Sequence, residues 1–412
     1  TIDLAAMREN SIFFMIIFSI SVLNMLSPKN KEDSAVENRA LAKKPEISLD
    51  TILSGKFSVD FENYFADHFL NRESLVASSK FLSSLKGIKR AQEVALVDFK
   101  GQNAGGDTSD NNKDNTNTKG NLLMLNDKVM EIYKFNQDKS KLYADMVNTV
   151  SDKMGSEVKV YSLLAPIQIE FLKEKKYKEL SDSQIDSISY VKSNLSDKVT
   201  AVDAYHPIQE HIDEYVYFRT DHHWTALGAY YGYTGFAKAA GLTPVPLNNY
   251  TKGEAPGFLG HISTVNPSDT VNNNPDNVIF YNPPVKSSLE VFFYDKETGD
   301  KKSYTGAVIS KTYIDKPQKY GVFLGGDFPL GIIKTNSKSD KKIMVIKDSY
   351  GNAFIPFLLP HYSEIYVIDP RHYKESLTSL VKDNHIDEVL ILNYILTTNF
   401  ENYMSSVLNL LN

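Results

Sequence analysis

The sequence predicts an α/β fold built around a central parallel sheet. Three unbroken apolar runs, Ile343–Ile346, Ile365–Ile368 and Val389–Leu392, are typical of parallel strands that are buried on both faces. The segments between these runs have helical character, notably Tyr373–Asp383, which gives a strand–helix–strand rhythm. A chain of 412 residues, of which 42% are hydrophobic, is long enough to bury such a core.

The amino-terminal residues 1–30 are predicted to form a membrane anchor or a signal segment. Their apolar stretch, Ile12–Leu26, follows Arg8 and would span about 22 Å as a helix, short of the roughly 30 Å of a bilayer core. No clear small-x-small cleavage site follows, which favours an uncleaved anchor over a cleaved signal peptide. In both cases the rest of the chain lies outside the cytoplasm. Residues 31–56 are polar and charged, and we interpret them as a stalk.

We expect residues 57–412 to form one large domain. The apolar spacing over 57–86 predicts a pair of amphipathic helices. Residues 101–121 have almost no apolar content and predict a polar surface loop. A helix is expected over 127–153.

The predicted strands begin after this helix. The mostly apolar segment Val158–Leu164 is the first of them. Between about 245 and 325, short strands such as Glu290–Tyr294 lie among Pro, Asn and Gly turns. This region predicts a β-rich insertion or subdomain, whose rim could help to bind a substrate.

Composition excludes several classes of function. The net charge of −6 argues against a nucleic-acid-binding protein, which usually has a basic face. The absence of cysteine excludes disulfides, thiolate metal sites and cysteine nucleophiles.

The tetrad Asp221, His222, His223 and Trp224 brings together the most candidate catalytic side chains in a short stretch. It contains the only tryptophan of the chain. A strand-like segment ends just before it, and a helix is expected from about 225 to 240. An Asp two residues from a His at such a corner can hydrogen-bond to the ring and hold one tautomer. This is half of a hydrolase triad.

The missing half would be a nucleophile, and Ser349 is the candidate. It follows the run Ile343–Ile346 and precedes an apolar segment, 353–359, that could be helical. α/β folds place nucleophiles at the carboxyl end of a central strand, where backbone N–H groups at a helix start can stabilise an oxyanion. A serine that caps the helix is the structural alternative.

The tetrad has two other interpretations. Asp221, His222 and His223 could bind a metal ion, but the sequence has no HExxH helix and no third His at a suitable spacing. They could also form a structural cluster of hydrogen-bonded side chains. We expect no metal.

These motifs together make the sequence resemble the bacterial DHHW protein family. The resemblance covers most of residues 55–400 and follows the order of the family's motifs. D-H-F-x-x-R-E at 67–73 resembles its amino-terminal region. The later motifs are T-D-H-H-W-T-A-L-G-A-Y-Y at 220–231, G-F-L-G at 257–260, F-L-G-G at 323–326, K-D-S-Y-G-N at 347–352 and I-D-P-R at 368–371.

That family is similar to the SGNH-like proteins of alginate and cell-wall polysaccharide O-acetylation. The resemblance implies a three-layer SGNH hydrolase-like sandwich with a permuted motif order, because Asp221 and His223 precede Ser349. It implies Ser349 as nucleophile, His223 as general base and Asp221 as the residue that orients it. His222 is then a structural partner.

The resemblance implies less about the oxyanion hole, whose donors in SGNH proteins are a Ser N–H, a Gly and an Asn. Gly325 and Gly326 are the candidates for the Gly, and the Asn role is open between Asn352 and Asn393. Family members often place Asn where this chain has Asp327, which we interpret as structural.

Four further residues are candidates for contacts with the oxyanion or the substrate: His222, Trp224, Tyr350 and Arg371. Tyr350, beside the nucleophile, could bind acetyl or sugar, or simply pack. Arg371 could contact a polar substrate, although an ion pair with Asp348 or Asp369 is favoured.

The predicted function is transfer of acetyl to hydroxyls of a bacterial exopolysaccharide or cell-wall polysaccharide, through an acetyl-Ser intermediate. No cofactor is expected, and a membrane-bound O-acyltransferase or an acetylated carrier would supply the acetyl group. The alternatives are a carbohydrate acetylesterase with the same triad and a non-catalytic polysaccharide-binding scaffold. The Lys- and Asn-rich, Cys-free composition suggests a Gram-positive source.

Overall fold

The computed structural model describes residues 24, 33–34, 39–69, 71–72, 94–97, 121–265, 269–295 and 297–412. Apart from Asn24 and Asn121, the predicted anchor and the predicted polar loop lie outside these residues. Among the helices that are described, none is both long and apolar enough to cross a bilayer. The chain divides into two compact units, Thr1–Ala91 and Gln92–Asn412.

The first unit contains β1 (Asp33–Ser34), β2 (Arg39–Ala40), α1 (Leu49–Leu53) and α2 (Lys56–Asp67). β1 and β2 pair antiparallel. In α2, Phe57, Phe61 and Phe65 recur every four residues, so their rings stack along one face with centroids 5.9 and 6.3 Å apart. α2 is the first of the two helices expected over 57–86, and the second lies outside the described residues.

The second unit carries the remaining elements. Its strands are β3 (Val94–Val97), β4 (Leu122–Leu125), β5 (Lys128–Glu131), β6 (Lys159–Ala165), β7 (Val199–Val202), β8 (Thr251–Phe258), β9 (Asp276–Asn282), β10 (Ser287–Tyr294), β11 (Lys301–Gly306), β12 (Leu330–Thr335), β13 (Lys342–Lys347), β14 (Glu364–Ile368) and β15 (Glu388–Tyr394). Its helices are α3 (Gln137–Met154), α4 (Lys175–Lys178), α5 (Gln184–Ser193), α6 (Tyr205–Glu210), α7 (Ala226–Ala239), α8 (His261–Val265), α9 (Asp269–Asn272), α10 (Gly351–Leu358), α11 (Leu377–Asn384) and α12 (Glu401–Asn409).

An eight-stranded sheet in the order β11-β10-β12-β14-β13-β15-β6-β7 forms the centre of this unit. The strands from β14 to β7 run parallel, and they include all four apolar runs that the sequence predicts as strands. β12, β10 and β11 extend the sheet antiparallel. The sheet is therefore mixed, with its parallel part buried.

Helices cover both faces of the sheet. In the register of β15 and β6, Leu390 lies beside Tyr161 and Asn393 beside Leu164, so Tyr161 and Asn393 point to opposite faces. The Tyr161 ring packs edge-on against Phe236 of α7. Asn393 accepts a hydrogen bond from Tyr143 of α3 on the other face. The architecture is thus helix, sheet, helix.

The region between 245 and 325 is rich in strands, but these strands divide between two sheets. β8 and β9 pair only with each other, whereas β10 and β11 join the edge of the central sheet. The region is not one separate β-subdomain.

The prediction of a helix over 127–153 is wrong for its first third. β4 and β5 form a hairpin in which Leu125 pairs with Lys128, so Asn126 and Asp127 make a two-residue turn. Asn126 has φ 57°, a conformation that Asn tolerates better than most residues. The helix, α3, begins only after Asn136, whose side chain caps it by accepting from the Lys139 N–H.

Candidate active site

Ser349 lies in the tight turn between β13 and α10, at the carboxyl end of a strand that has parallel neighbours on both sides. The buried Asp348 fixes this turn. Its Oδ1 accepts from the Tyr350 N–H at 3.0 Å, and its Oδ2 accepts from Asn393 Nδ2, the Tyr394 N–H and Thr397 Oγ1 at 2.9–3.0 Å. Burial raises the pKa of Asp348 despite these bonds. The turn is therefore tied to the end of β15.

The tetrad forms a loop that precedes α7. Asp276, at the start of β9, holds this loop from outside, because its carboxylate accepts from Thr220 N at 2.8 Å, from Thr220 Oγ1 at 2.6 Å and from Arg219 N at 3.1 Å. Thr225 then caps α7 by accepting from the Gly228 N–H. The predicted strand before the tetrad makes only a single bridge, between Tyr217 and Trp224.

The two loops bring Asp221, His223 and Ser349 into one hydrogen-bonded series, which we call the Asp–His–Ser chain. His223 Nε2 lies 2.8 Å from Ser349 Oγ, and His223 Nδ1 lies 2.5 Å from Asp221 Oδ1. Burial alone would raise the pKa of Asp221. The adjacent rings of His223 and His222, together with the hydrogen bonds from His223, outweigh burial and hold that pKa well below its usual range. Asp221 is therefore a carboxylate that fixes the Nδ1–H tautomer of His223.

The last glycine of G-F-L-G lets another backbone segment approach Asp221. A Cβ on Gly260 would lie 2.3 Å from Asp221 Cβ and 2.5 Å from the Thr220 carbonyl oxygen. This close approach allows the next residue, His261, to donate its backbone N–H to Asp221 Oδ2 at 3.1 Å. Both carboxylate oxygens of Asp221 are thus engaged.

Trp224 and Tyr350 brace the two loops against each other. Trp224 Nε1 donates to the Tyr350 carbonyl at 2.9 Å, and the Tyr350 hydroxyl donates to the His222 carbonyl. Both side chains are fully buried. Trp224 and Tyr350, both candidates for substrate contacts, are therefore packed inside the protein with their polar atoms in use.

Tyr320 belongs to this site, although the sequence analysis missed it. Its ring stacks on the His223 ring with centroids 4.0 Å apart and planes 16° apart. Its hydroxyl donates to the Ser349 carbonyl at 3.0 Å. Tyr320 thus contacts both ends of the His–Ser hydrogen bond. The only signal in the sequence was its position just before F-L-G-G.

The oxyanion candidates are already engaged elsewhere. The N–H groups of Gly325 and Gly326 donate to the carbonyls of Gly321 and Phe323. Asn352 Nδ2 donates to Asp327 at 2.8 Å, and Asn393 Nδ2 donates to Asp348 and to Tyr403. The backbone N–H of Ser349, by contrast, has no acceptor among the described residues.

Behind the nucleophile lies a second group of charges, which we call the ion cluster: Lys347, Asp327, Asp369 and Arg371. The fully buried Lys347 places its Nζ 2.6 Å from Asp327 and 4.0 Å from Asp369. Arg371 binds Asp369 through Nε and Nη2, and binds Asp327 at 3.1 Å. Burial opposes ionisation of Asp327, but Lys347 and Arg371 hold its pKa well below its usual range. Arg371 is thus held in an ion pair with Asp369.

His222 lies beside the Asp–His–Ser chain without joining it. Its Nδ1 is 3.8 Å from Asp221 Oδ1, and its ring lies 3.9 Å from that of His223. Burial lowers the pKa of His222, and the neighbouring His223 adds to this effect, so the neutral ring is favoured. Asp221, His222 and His223 each offer a ligand atom within 4.8 Å of the others, so this is where the described residues could hold a metal ion. Asp221 Oδ1 and His223 Nδ1 already share a hydrogen bond here.

Comparisons with known proteins agree with the sequence motifs. The sequence model of one family, described as DHHW protein, matches residues 97–368. No curated protein matches the chain. A solved DHHW family protein from Eubacterium siraeum is 28% identical, with a TM-score of 0.64, and the match covers 71% of this chain and 96% of that one.

Bacillus cereus PatB1 has a similar fold. Its structure is 19% identical, with a TM-score of 0.57, over 68% of this chain and 98% of PatB1. A second structure of PatB1, with a sulfonyl adduct, is 18% identical with a TM-score of 0.55, over 69% of this chain and 95% of that one.

Proposed function

The chain belongs to the DHHW protein family, and from that premise we propose that it is an O-acetyltransferase acting on a bacterial polysaccharide. One observation carries the proposal. Asp221, His223 and Ser349 form a continuous hydrogen-bonded chain at the carboxyl end of a central strand, with a buried carboxylate at one end and a hydroxyl at the other.

In the proposed mechanism, Ser349 is the nucleophile. His223 Nε2 takes the proton of Ser349 Oγ as that oxygen attacks the carbonyl carbon of an acetyl donor. The tetrahedral intermediate collapses, the donor leaves with the proton from His223, and an acetyl ester remains on Ser349. Asp221 stabilises the imidazolium that exists between these two proton transfers.

The second half of the reaction reverses the roles. His223 Nε2 removes the proton of a sugar hydroxyl, whose oxygen attacks the acetyl-Ser carbonyl. Collapse of this intermediate returns the proton to Ser349 Oγ and leaves the acetyl group on the sugar. The free N–H of Ser349 is the donor that we propose for the oxyanion in both halves.

We propose an extracytoplasmic location and a partner for the same reaction. The apolar segment 12–26 supports a tether at the outer face of the membrane, where a membrane-bound O-acyltransferase or an acetylated carrier would deliver acetyl groups. The reaction itself needs no cofactor. The Lys- and Asn-rich composition supports a Gram-positive source.

Covalent labelling tests the nucleophile. Incubation with phenylmethylsulfonyl fluoride should add one sulfonyl group, which peptide mass spectrometry should locate on Ser349. Ser349→Ala should take up none, and Ser363→Ala, a change in a serine outside the Asp–His–Ser chain, should label like the wild type. Labelling of Ser349→Ala at the wild-type level would refute the proposed nucleophile and favour the scaffold alternative.

Acetyl transfer is tested separately. The protein is incubated with p-nitrophenyl acetate, with and without cello- and chito-oligosaccharides, and the acetylated sugars are identified by mass spectrometry. Acetylated oligosaccharide supports the transferase. Release of free acetate alone would identify the protein as an acetylesterase.

A further inference from the structure

A cleft of about 670 Å³ lies at the edge of the central sheet that also carries Ser349. β6 and β13 both run parallel to β15, so their carboxyl ends lie at the same edge. Gln168 and Phe171, which belong to a short 3₁₀ helix just after β6, line the cleft there. Open α/β sheets bind ligands at this edge, and ligand sites typically have volumes of about 300–1,000 Å³. The cleft therefore has the place and the size of a binding site.

One wall of the cleft is the segment that leads into the tetrad. This wall segment includes Tyr215, Val216, Tyr217 and Arg219. It is fixed to the tetrad loop, because the Phe218 N–H donates to the His223 carbonyl at 3.3 Å. β5 is attached to the same segment, because the Val129 N–H donates to the Arg219 carbonyl at 2.8 Å. The cleft and the Asp–His–Ser chain therefore share part of their backbone.

Tyr215 contributes an exposed aromatic ring that is held in place. The side chain is 38% exposed, although its hydroxyl donates to the buried Asp276 and its ring packs edge-on against Phe218. Two more rings that line the cleft, those of Phe171 and Tyr217, stack on each other with centroids 6.1 Å apart. A ligand that packs on a ring already held in this way loses little side-chain entropy.

The charged side chains that line the cleft balance one another. Three are cations and three are carboxylates: Lys128, Lys173, Arg219, Glu174, Asp213 and Glu214. Two of the cations are already paired, since Arg219 lies 3.2 Å from Asp276 and Lys173 lies 2.6 Å from Asp213. A polymer with charges of one sign would meet repulsion as well as attraction here. The lining therefore favours an uncharged ligand.

Two polar groups of the cleft are available to such a ligand. Lys128 Nζ and the side-chain amide of Gln168 have no hydrogen-bond or ion-pair partner in the part of the chain that the structure describes. Together they offer N–H donors and a carbonyl acceptor, which suit hydroxyl groups. Aromatic rings provide an apolar surface for the C–H face of a pyranose. A ring with hydroxyl groups at its rim matches this combination.

We propose that this cleft binds a neutral oligosaccharide, with one sugar ring packed on Tyr215 and its hydroxyl groups bonded to Lys128 and Gln168. Its role rests on the proposed function: the bound segment belongs to the acceptor polysaccharide and lies apart from the sugar that receives the acetyl group. A chain held at this second position has a high effective concentration at Ser349. Long chains are therefore better acceptors than short ones.

Calorimetric titration tests the cleft without any reaction. The probes are cellohexaose, chitohexaose and maltohexaose, with a mannuronate hexasaccharide as the anionic comparison. At least one neutral probe should bind the wild type, and its Kd should change little with salt, because the lining charges balance. Tyr215→Ala should raise this Kd about tenfold or more, the effect of losing one aromatic contact. Gln168→Ala should raise it about fivefold, the effect of one lost hydrogen bond.

Two controls isolate the Tyr215 ring. Tyr215→Phe keeps the ring and loses only the hydrogen bond to Asp276, so it should bind the sugar much better than Tyr215→Ala. Equal losses in these two variants would show that the ring is not the contact. Tyr304→Ala removes an exposed tyrosine from β11, at the opposite end of the sheet, and should keep the wild-type Kd. Thermal unfolding identifies a variant that fails to fold, and Gln168→Ala then decides the result.

The acceptor role is tested by chain length. With p-nitrophenyl acetate as donor, the wild type should acetylate the bound hexasaccharide with a lower KM than the matching disaccharide, and Tyr215→Ala should remove this difference. Equal KM values for the two lengths in the wild type would overturn the acceptor role of the cleft.

The outcomes separate the cleft from the proposed function. No binding of any neutral hexasaccharide, unchanged binding by Tyr215→Ala, or tighter binding of the mannuronate hexasaccharide would overturn the cleft as a site for neutral sugars. Binding that depends on Tyr215, in a wild-type protein that releases only free acetate, would keep the binding site and overturn the proposed function.

Discussion

Two groups of polar side chains flank the turn at Ser349, the ion cluster and the Asp–His–Ser chain, and they differ in how their charges are paired. In the ion cluster, the carboxylates of Asp327 and Asp369 are matched by the cations of Lys347 and Arg371. Around the Asp–His–Ser chain, the hydrogen bonds lead from Asp221 through His223 to a hydroxyl. Three buried atoms nearby, Glu131 Oε2, His222 Nε2 and the Tyr394 hydroxyl, have no hydrogen-bond partner among the described residues. Lys347 and Asp369 in the ion cluster are buried, as are Asp221 and His223, so burial does not distinguish the two regions.

The two regions differ in how completely their buried polar groups are paired. A fully paired cluster has nothing to offer a ligand, and its effect is to fix the backbone on which Ser349 stands. The Asp–His–Ser chain instead ends in His223 Nε2 and the Ser349 hydroxyl, which are the groups that we propose react. Variants in the Asp–His–Ser chain should therefore alter catalysis, and variants in the ion cluster should alter stability.

Asp221→Asn should remove most of the catalytic activity without unfolding the protein. An amide cannot stabilise the imidazolium and can hold the wrong His223 tautomer, so the turnover rate should fall about ten-thousandfold. Acetate release from p-nitrophenyl acetate measures the loss. Asp203→Asn is the matched control, since it alters an exposed Asp–His hydrogen bond of 2.8 Å, and it should leave the rate unchanged. A rate within tenfold of wild type for Asp221→Asn would contradict this role.

Asp327→Asn, a change in the ion cluster, should lower the stability of the protein. It leaves the buried Lys347 with only the more distant Asp369, so the free energy of unfolding should drop by about 3 kcal/mol, near the lower limit for a broken buried pair. Urea denaturation measures this drop. The exposed Asp315→Asn should cost almost nothing.

The same carboxylate predicts a dependence on pH. Because the pKa of Asp327 is lowered in the folded protein, its contribution is complete above the unfolded value of about 3.9 and is lost as the pH falls towards the folded value. The wild-type unfolding free energy should therefore decrease on acidification more steeply than that of Asp327→Asn. Parallel curves for the two proteins would show that Asp327 is not the group responsible.

Tyr350→Phe should have the smallest effect, and it should change both the stability and the rate. It removes the hydroxyl that donates to the His222 carbonyl, which should cost about 1 kcal/mol of stability, and it loosens His223 relative to Ser349, so the rate should fall severalfold. Thermal unfolding and acetate release measure the two effects. Tyr366→Phe, which loses a hydroxyl outside the site, should lose stability but keep its rate. An equal rate loss in both variants would show that the hydrogen bond from the Tyr350 hydroxyl does not position His223.

The buried part of the fold and the residues of the Asp–His–Ser chain could be predicted from the sequence, because the patterns that mark them are local. Val389–Leu392 is apolar throughout because both of its faces are covered, and this pattern is local. Asp221, His223 and Ser349 occur in short motifs, because each must stand on a particular turn. The hairpin turn at Asn126 and Asp127 was also local, but its turn chemistry was not recognised, and a helix was predicted in its place.

What could not be predicted depends on contacts between distant segments. Tyr320 stacks on His223, and Gly260 makes room for Asp221, only because the folded chain brings them together. Neither residue type has a preference that reveals such a contact. Glu131 is similar, since a glutamate in an amphipathic strand is normally exposed, and its place beside His222 follows from the attachment of β5 to the tetrad loop.

The reciprocal hydrogen bonds of Trp224 and Tyr350 have a consequence for how the protein acquires its activity. Each bond joins residues that are 126 or more positions apart, as does the bond from His223 to Ser349. Contacts of such long range form late, since the entropy of closing the intervening chain must be overcome first. Until then Ser349 is an ordinary alcohol with no base beside it. In the proposed mechanism a partly folded chain is therefore chemically silent, and covalent labelling of Ser349 would report that the two loops have met.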